Sequence, residues 1–225
     1  MDFYFSYLII IPALIFAFYA QMKVKSTFDK YSAVYNRRGL RAEDAARQIL
    51  DENGLTNVRI ERVSGNLTDH YDPRTNVVAL SNSVYGSTSV SAIGVAAHEV
   101  GHAIQHAEGY TPIVIRNAIL PVVNIGSNLA VPLVIAGFIF SFQPLVTFGI
   151  FLYAGIVLFQ AITLPVELNA SSRAIKTLEN YNMLDVDELK NSRSVLTAAA
   201  MTYVAALLSA LLSLLRLIFI SRRRD

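Results

Sequence analysis

The sequence predicts a mainly α-helical integral membrane protein with about four transmembrane helices and a polar core that contains a small β element. Hydrophobic residues make up 53% of the 225 residues and charged residues only 16%, whereas soluble proteins carry about a quarter charged residues. Four apolar segments approach the roughly 20 residues that a helix needs to cross a bilayer. The long polar stretch at 21–112 separates the first of these segments from the others.

The first apolar segment runs from Phe3 to Ala20 and is followed by Lys23, Lys25 and Lys30. A secretory signal begins with basic residues and ends at a small-residue cleavage site. This segment has no basic residue before it and no clean Ala-x-Ala site. We therefore predict that it is retained as an N-terminal transmembrane anchor.

The other three apolar segments follow the polar stretch. The second runs from about Asn117 to Ser141, the third from Val146 to Val166, and the fourth from near Val195 to about Leu215. The short connection between the second and third contains Pro144, which favours a turn. These two segments are therefore predicted to form a helical hairpin.

The distribution of Lys and Arg near the ends of the segments predicts the orientation. Residues 22–116 carry basic residues close to both ends, whereas the hairpin tip and the residues before Phe3 carry none. We therefore place residues 22–116 in the cytoplasm. The basic tail Arg222–Arg224 opposes this, so the fourth helix either crosses against a local penalty or does not cross fully.

Within the polar stretch, apolar residues recur at helical spacing between Arg41 and Asn53, and they alternate at strand spacing from Asn57 to Val63. A second strand is predicted from Asn76 to Leu80, and a preceding serine can cap a helix from about Val90 to Ala107. We expect the strand that begins at Asn76, extended to Ser81, to border a cleft and to pair with an extended peptide.

That last helix carries the motif His98-Glu99-Val100-Gly101-His102. Residues four apart lie on one face of a helix, so the two imidazoles can converge on one metal ion. Glu99 lies beside that face, where its carboxylate can take a proton from a water that the metal has made acidic. The pattern predicts one catalytic Zn²⁺ held by His98 and His102, with Glu99 as the general base.

A catalytic zinc usually has a third protein ligand, and two glutamates are candidates. Glu108 lies ten residues after His98, where the metzincin pattern places its last ligand, but that pattern needs a glycine where Gln105 stands. Glu167 lies just beyond Pro165 at the predicted end of the third span, where a carboxylate is costly unless it is used or solvated. We predict Glu167 as the third ligand.

Other functions are disfavoured by composition and by rival patterns. The sequence has no cysteine, so neither disulfides nor thiolate chemistry is available. No basic stripe with interleaved aromatic residues indicates a nucleic-acid partner. The expected partners are the lipid bilayer and a peptide or membrane-protein substrate. The alternatives are a scaffold or chaperone with a vestigial zinc site, or a site-2-type intramembrane protease, which would need an intramembrane Asp that is absent between Asp72 and Asp185.

Four segments carry a resemblance to a known family: Asp69-His70-Tyr71-Asp72-Pro73, Val78-Ala79-Leu80-Ser81, Ala96 to Gln105 around the motif, and Glu167-Leu168-Asn169-Ala170-Ser171-Ser172-Arg173-Ala174. With them the chain resembles the YugP-type bacterial membrane zinc peptidases and, more distantly, the HtpX and CAAX prenyl protease group. The resemblance implies a gluzincin with His98, His102 and Glu167 as ligands, Glu99 as base, and an active site at the cytoplasmic membrane face.

One position departs from the wider HtpX-like group, in which an Asp four residues after the ligand Glu orients a zinc-bound His. Ser171 stands there in this chain. A carboxylate partner raises the basicity of a histidine and fixes its tautomer. Asp69, Asp72 and Asn169 are the candidates to replace it, while Tyr203, Arg173 and His70 are candidates to stabilise an oxyanion.

These expectations divide the chain into five parts. They are a transmembrane anchor (1–21), a cytoplasmic gluzincin-like metallopeptidase core with the HExxH helix (22–112), a transmembrane helical hairpin (113–166), a cytoplasmic segment with the third zinc ligand (167–194), and a C-terminal transmembrane helix with a basic tail (195–225).

Overall fold

The computed structural model describes residues 8–222 and is mainly helical, as predicted. A small three-stranded sheet lies between the second and third helices along the chain. The elements, in order, are α1 Ile11–Ser32, α2 Ala42–Glu52, β1 Arg59–Val63, β2 His70–Asp72, β3 Val77–Ser81, α3 Val90–Ala107, α4 Thr111–Ile139, α5 Gln143–Asn180 and α6 Val186–Ser221.

The described residues form two compact units. One contains residues 8–21, Thr111–Pro165 and 201–222. The other contains Met22–Tyr110 and Val166–Ala200, and therefore includes the sheet, α2, α3 and the residues of the candidate metal site.

Three described helices are long and apolar enough to cross a membrane: α4, α5 and α6. They include most or all of the second, third and fourth predicted spans, and their apolar stretches are mostly left exposed, with 22%, 11% and 17% of the residues buried. Side chains of this kind are suited to contact with lipid. The predicted span at Phe3–Ala20 lies partly outside the described residues, and α1 is not among these three helices, so the four-span arrangement stays a prediction.

The predicted hairpin is formed by α4 and the first part of α5. Two glycines allow close packing between them: a Cβ on Gly149 would lie 2.7 Å from the Ala130 carbonyl oxygen, and one on Gly137 would lie 2.8 Å from the Val146 nitrogen. Small residues at such contacts are typical of helix pairs in membranes, where packing rather than the hydrophobic effect holds helices together.

The sheet has the strand order β1-β3-β2, with β1 parallel and β2 antiparallel to β3. All five residues of β3 are buried. Because β3 is paired on both sides, it has no free edge to accept a peptide strand. The expectation that a peptide pairs with this strand is therefore wrong, and β1 and β2 are the edge strands of the sheet within residues 8–222.

Helix α3 has the predicted bounds, and most of its residues are buried. Ser89 caps it by accepting a hydrogen bond from the Ala92 N–H at 3.2 Å, which satisfies one donor of the first turn. Many of its residues are small, and they pack against a buried apolar cluster that includes Ile49 and Leu50 of α2, Leu80 of β3 and Leu178 of α5. This packing positions both histidines of the motif.

Candidate metal centre

Three predicted ligands come together in one place. Glu167 Oε2 lies 3.3 Å from His98 Nε2 and 3.4 Å from His102 Nε2. The two imidazole rings meet edge to face, with centroids 4.7 Å apart. Side chains of all three residues are nearly buried, at 14%, 12% and 6% exposure for His98, His102 and Glu167. The group can therefore hold a metal ion largely shielded from water.

The distances fit zinc. A tetrahedral ion with bonds of about 2.0–2.1 Å to nitrogen and oxygen places its ligand atoms about 3.3 Å apart. The two measured separations from the Glu167 oxygen match that spacing. Two imidazoles and one carboxylate, with no sulfur ligand, are also the donor set of many catalytic zinc sites.

Glycine at the fourth position of the motif allows Glu167 to reach the histidines. A Cβ on Gly101 would lie 2.8 Å from the carbonyl oxygen of Ala170 and 3.3 Å from its Cα. Side chains essentially never approach backbone that closely, so α3 and α5 can pack at this distance only where residue 101 lacks a side chain. Gly101 thus sets the separation across which the ligands meet.

Glu99 lies on the same helix and is 9% exposed. Its carboxylate is not one of the three grouped ligands, but its negative charge acts on His102. Burial lowers the pKa of His102, while the hydrogen bond to Glu167 and the charge of Glu99 raise it, and the net effect is a raised pKa. Without a metal ion, the carboxylates around His102 therefore favour its charged form.

Each histidine has a neutral partner at its second ring nitrogen. The hydroxyl oxygen of Ser171 lies 3.1 Å from His98 Nδ1, and Gln105 Oε1 lies 3.0 Å from His102 Nδ1. Both contacts leave the Nε2 atoms directed at Glu167. Ser171, the residue that departs from the wider group, thus contacts a histidine itself.

None of the three replacements suggested by the sequence contacts a motif histidine through a hydrogen bond in the described structure. Asp69 accepts from the N–H and hydroxyl of Ser81 at 2.7 and 2.9 Å, and burial raises its pKa. Asp72 accepts bonds within its own turn, which lower its pKa. Asn169 is one step removed, because it contacts Gln105 rather than a histidine.

Sequence reasoning missed the role of Gln105. The available signal was its position three residues after His102, since residues three apart on a helix are neighbours. Its side chain is fully buried, which a long polar residue tolerates only with hydrogen-bond partners. In the sequence the position stands out mainly because the metzincin pattern needs a glycine there.

Other candidate residues lie elsewhere. Glu108, the rival ligand, follows the end of α3 and pairs with Arg173 at 2.7 Å. His106 meets the ring of Tyr71 edge to face, which fits a structural role. His70 donates from Nδ1 to the Thr68 carbonyl at 2.9 Å if that nitrogen carries the proton, and it is exposed. The suggested oxyanion roles of Tyr203, Arg173 and His70 stay predictions.

Two histidines four residues apart on a helix, the glutamate between them in sequence, and a carboxylate from a second helix define a zinc-peptidase type of site. The chain belongs to the zinc metallopeptidase family described as "Putative neutral zinc metallopeptidase", which it matches over residues 6–222. It is 50% identical over 210 residues to the "Putative membrane protease YugP" of Bacillus subtilis (strain 168), covering 93% of each chain. No solved structure matches it significantly.

Proposed function

We propose that this protein is a membrane-bound zinc endopeptidase of the gluzincin type that cleaves peptide bonds at the cytoplasmic membrane face. The observation that carries the proposal is the convergence of His98 Nε2, His102 Nε2 and a Glu167 oxygen at the spacing of zinc ligands. Membership of a zinc metallopeptidase family and similarity to a protein named as a membrane protease support it.

Under this proposal His98, His102 and Glu167 hold one zinc ion. A bound zinc ion supplies Lewis acidity, which polarises a carbonyl and makes water acidic enough to lose a proton near neutral pH. The carboxylate of Glu167 would offset part of the ion's charge, and the two histidines would bind it as neutral imidazoles through Nε2.

Glu99 acts as the general base and then the general acid. Its carboxylate takes a proton from the attacking water and delivers it to the nitrogen of the scissile bond, so that the amine leaves neutral. A position next to the ligand face, with 9% exposure, suits this exchange. Its negative charge also acts on His102, which supports its proximity to the reacting centre.

The substrate is an extended peptide or a segment of a membrane protein. We propose that it pairs with the outer edge of β2 rather than with β3, because β3 is paired on both sides. Contact between Tyr71 of β2 and His106 of α3 links this edge strand to the helix that carries the motif. Main-chain pairing would bind many sequences with little side-chain preference.

The cytoplasmic placement rests on the distribution of basic residues. It includes four spans that anchor the protein in the bilayer, with residues 22–112 and 167–194 on the cytoplasmic side. The three apolar helices support multiple crossings. A cysteine introduced at exposed Glu52 in this cysteine-free chain should react with a membrane-impermeant reagent only after cells are opened.

Glu99→Gln tests the chemistry. The zinc-loaded variant should keep its metal and lose about 10²–10⁴-fold in peptide hydrolysis, the usual contribution of a general base. A chelator should stop the wild-type protein and zinc should restore it. Full hydrolysis by Glu99→Gln would contradict the assigned base. A zinc-loaded wild type with no activity toward any peptide or membrane-protein fragment would favour the scaffold alternative.

A further inference from the structure

A groove with a volume of about 410 Å³ lies between one stripe of side chains on α5 and one on α6. This volume falls within the range of pockets that hold small molecules, about 300–1,000 Å³. We propose that this α5–α6 groove binds an anionic phospholipid of the surrounding bilayer, with the headgroup at Lys176 and Arg193 and an acyl chain at Leu168 and Ala200. The proposal rests on the membrane placement given above, but not on the peptidase activity, because neither metal nor substrate takes part.

The two helices form the walls of the groove through the spacing of their residues. Leu168, Ser172 and Lys176 recur every fourth residue along α5 and line one wall, while Arg193 and Ala200, seven residues apart on α6, line the other. Residues at intervals of four and seven share a helix face. All the lining residues belong to the compact unit that contains the sheet, so the groove is a feature of that unit alone.

One end of the groove is apolar. Its floor contains Ile175 and Leu196, which are 5% and 3% exposed, and Leu168 at this end is 47% exposed. Covering such a leucine with an acyl chain is favourable. From Leu168 toward lower numbers and from Ala200 toward higher numbers, both helices continue into stretches apolar enough to cross a membrane. The apolar end of the groove is therefore the end that leads to the bilayer.

The other end of the groove is basic. Lys176 and Arg193 are exposed, and neither forms an ion pair within residues 8–222. Basic pockets between membrane helices are typical sites for anionic headgroups. An ammonium binds phosphate as a point charge and a guanidinium binds it through paired donors, so these two side chains suit the phosphate of a lipid.

The order of these residues along the helices matches a phospholipid. At 1.5 Å per residue, Ser172 lies about 6 Å and Lys176 about 12 Å from Leu168 along α5, and Arg193 lies about 10 Å from Ala200 along α6. The headgroup region extends about 5–7 Å beyond the hydrocarbon on each side of a bilayer. The Ser172 hydroxyl thus lies at headgroup depth. The side chain of Lys176 leans toward the start of α5, and hence toward the headgroup.

One acidic side chain, Glu179, also lines the groove. It lies three residues beyond Lys176, and so about 16 Å from Leu168 along α5, farther from the apolar end than either basic residue. It offsets part of the basic charge but leaves one positive charge in excess. An acidic peptide would match that charge, but a phospholipid also covers the exposed Leu168, and for this reason we favour the lipid.

The groove shares a residue with the surroundings of the candidate metal centre. Ser171 lines it, and the hydroxyl oxygen of the same residue lies 3.1 Å from His98 Nδ1. A lipid in the groove would therefore lie against a side chain that contacts a predicted metal ligand.

Fluorescence quenching tests the proposal, because the chain contains no tryptophan. Leu168→Trp places one indole at the apolar end of the groove. The full-length variant is reconstituted in phosphatidylcholine vesicles, and a rising fraction of the lipid is replaced by phosphatidylglycerol or phosphatidylcholine brominated on the acyl chains. Bromine quenches indole fluorescence at short range, so the two quenching curves give the relative affinity of the groove for the two headgroups.

Phosphatidylglycerol should bind about fivefold or more tightly than phosphatidylcholine. Each basic side chain near an anionic lipid contributes roughly a fivefold factor, and Glu179 offsets part of the sum. In the same background, Lys176→Gln with Arg193→Gln should bring the ratio close to one. Glu179→Gln should raise the ratio, and the exchange of Lys176→Arg with Arg193→Lys should preserve it.

Two controls separate the groove from the membrane surface in general. Lys23→Gln with Lys25→Gln removes the same charge from exposed positions on α1 and should leave the ratio unchanged. Val122→Trp, at a position on α4 that is 71% exposed, should be quenched equally by both lipids. Far-UV circular dichroism shows that each variant is folded, and Thr197→Trp, across the groove, takes the place of Leu168→Trp if that variant does not fold.

Four outcomes would overturn the proposal. They are equal quenching of Leu168→Trp by both lipids, an unchanged ratio after both basic residues are replaced, relief of quenching by inorganic phosphate, which would assign the groove to a free anion, and relief by a glutamate-rich peptide, which would assign it to a protein segment. Val122→Trp without any quenching would contradict the membrane placement and the lipid site together. A missing peptidase activity would leave every one of these results unchanged, so the two failures can be told apart.

Discussion

The surroundings of the two motif histidines differ in kind. His102 contacts an amide whose orientation is set by two acceptors, the Val166 carbonyl and the Asn169 oxygen. His98 contacts the single hydroxyl of Ser171, and a hydroxyl can donate or accept as required. His102 therefore has a partner at Nδ1 that can only accept, while the partner of His98 can donate or accept.

The difference shows two ways of supporting a candidate metal-binding histidine without a carboxylate at its Nδ1 atom. Ser171 and Glu167 lie four residues apart on α5 and so share a helix face, which lets one helix supply both a ligand and a partner for His98. Gln105 supports His102 from the same helix, α3. Since neutral partners raise imidazole basicity less than carboxylates do, these two contacts act through geometry more than through charge.

The largest effect is expected from the loss of Glu167, the carboxylate that both histidines contact. Glu167→Ala should lower zinc affinity by more than the 10–100-fold typical of outer partners, because it removes a ligand atom 3.3 and 3.4 Å from the two imidazoles. Metal content after purification measures this. Glu108→Ala is the matched control and should retain zinc. If Glu108→Ala lost zinc while Glu167→Ala kept it, the ligand assignment would be reversed.

The next largest effect is expected at Gly101, where α3 and α5 pack closely together. Gly101→Ala places a methyl group 2.8 Å from the Ala170 carbonyl oxygen, and overpacking of this kind costs about 1–3 kcal/mol. Thermal unfolding followed by circular dichroism should show the loss, together with weaker zinc binding. Gly155→Ala, on α5, is the matched control, because a Cβ there would meet no neighbouring atom within 4 Å. Wild-type stability in Gly101→Ala would show that the helices tolerate a wider separation.

A smaller effect is expected at Ser171, the partner of His98, and it tests the difference between the two histidines. Ser171→Ala should reduce zinc affinity by about tenfold or less, the low end of the range for outer partners, and by less than Gln105→Leu. Ser171→Asp should increase affinity, because a carboxylate there raises the basicity of His98 and no other hydrogen bond of Ser171 depends on the hydroxyl among those found in residues 8–222. Dye competition measures both. Equal losses from Ser171→Ala and Gln105→Leu would remove the distinction between the histidines.

The smallest effect is expected at Arg37, which does not contact either histidine and serves as a reference for the other variants. Arg37 donates hydrogen bonds to Asp187 and Asp185, and the bond to Asp187 lowers the pKa of that carboxyl below its usual value of 3.8. Ionised Asp187 therefore stabilises the fold above about pH 4, and this is lost as the pH falls through its lowered pKa. The melting temperature of Arg37→Gln should be slightly below wild type at pH 6, with the gap closing toward pH 2. A gap that widens in acid would contradict the sign.

Local patterns in the sequence predicted much of the fold and the inner site. Helix α3 with its capping serine, the hairpin turn near Pro144 and the histidine pair follow from spacing along one segment. Glu167 could be predicted because a carboxylate at the end of an apolar segment is costly unless it is used or solvated. In each case the information lies within a few residues of the feature.

The remainder depends on contacts between distant segments. The central position of β3 results from its parallel pairing with β1, although β2 lies between them in the sequence. The sequence of a short strand does not indicate which strands it pairs with. The hydrogen bonds of Asp69 with Ser81 and of Gln105 with Asn169 join residues up to 64 positions apart. Packing decides which of several suitable polar residues become hydrogen-bond partners. The periodicity of the sequence gives no information about that packing.

The central claim is that His98, His102 and Glu167 bind one zinc ion, and zinc-edge X-ray absorption of the zinc-loaded protein tests it most directly. We predict a four-coordinate ion with two imidazole ligands, oxygen donors for the rest, no sulfur, and bonds of about 2.0–2.1 Å. His102→Gln should remove one imidazole from the spectrum. An ion surrounded only by oxygen, or a wild-type protein that binds no zinc, would contradict the claim.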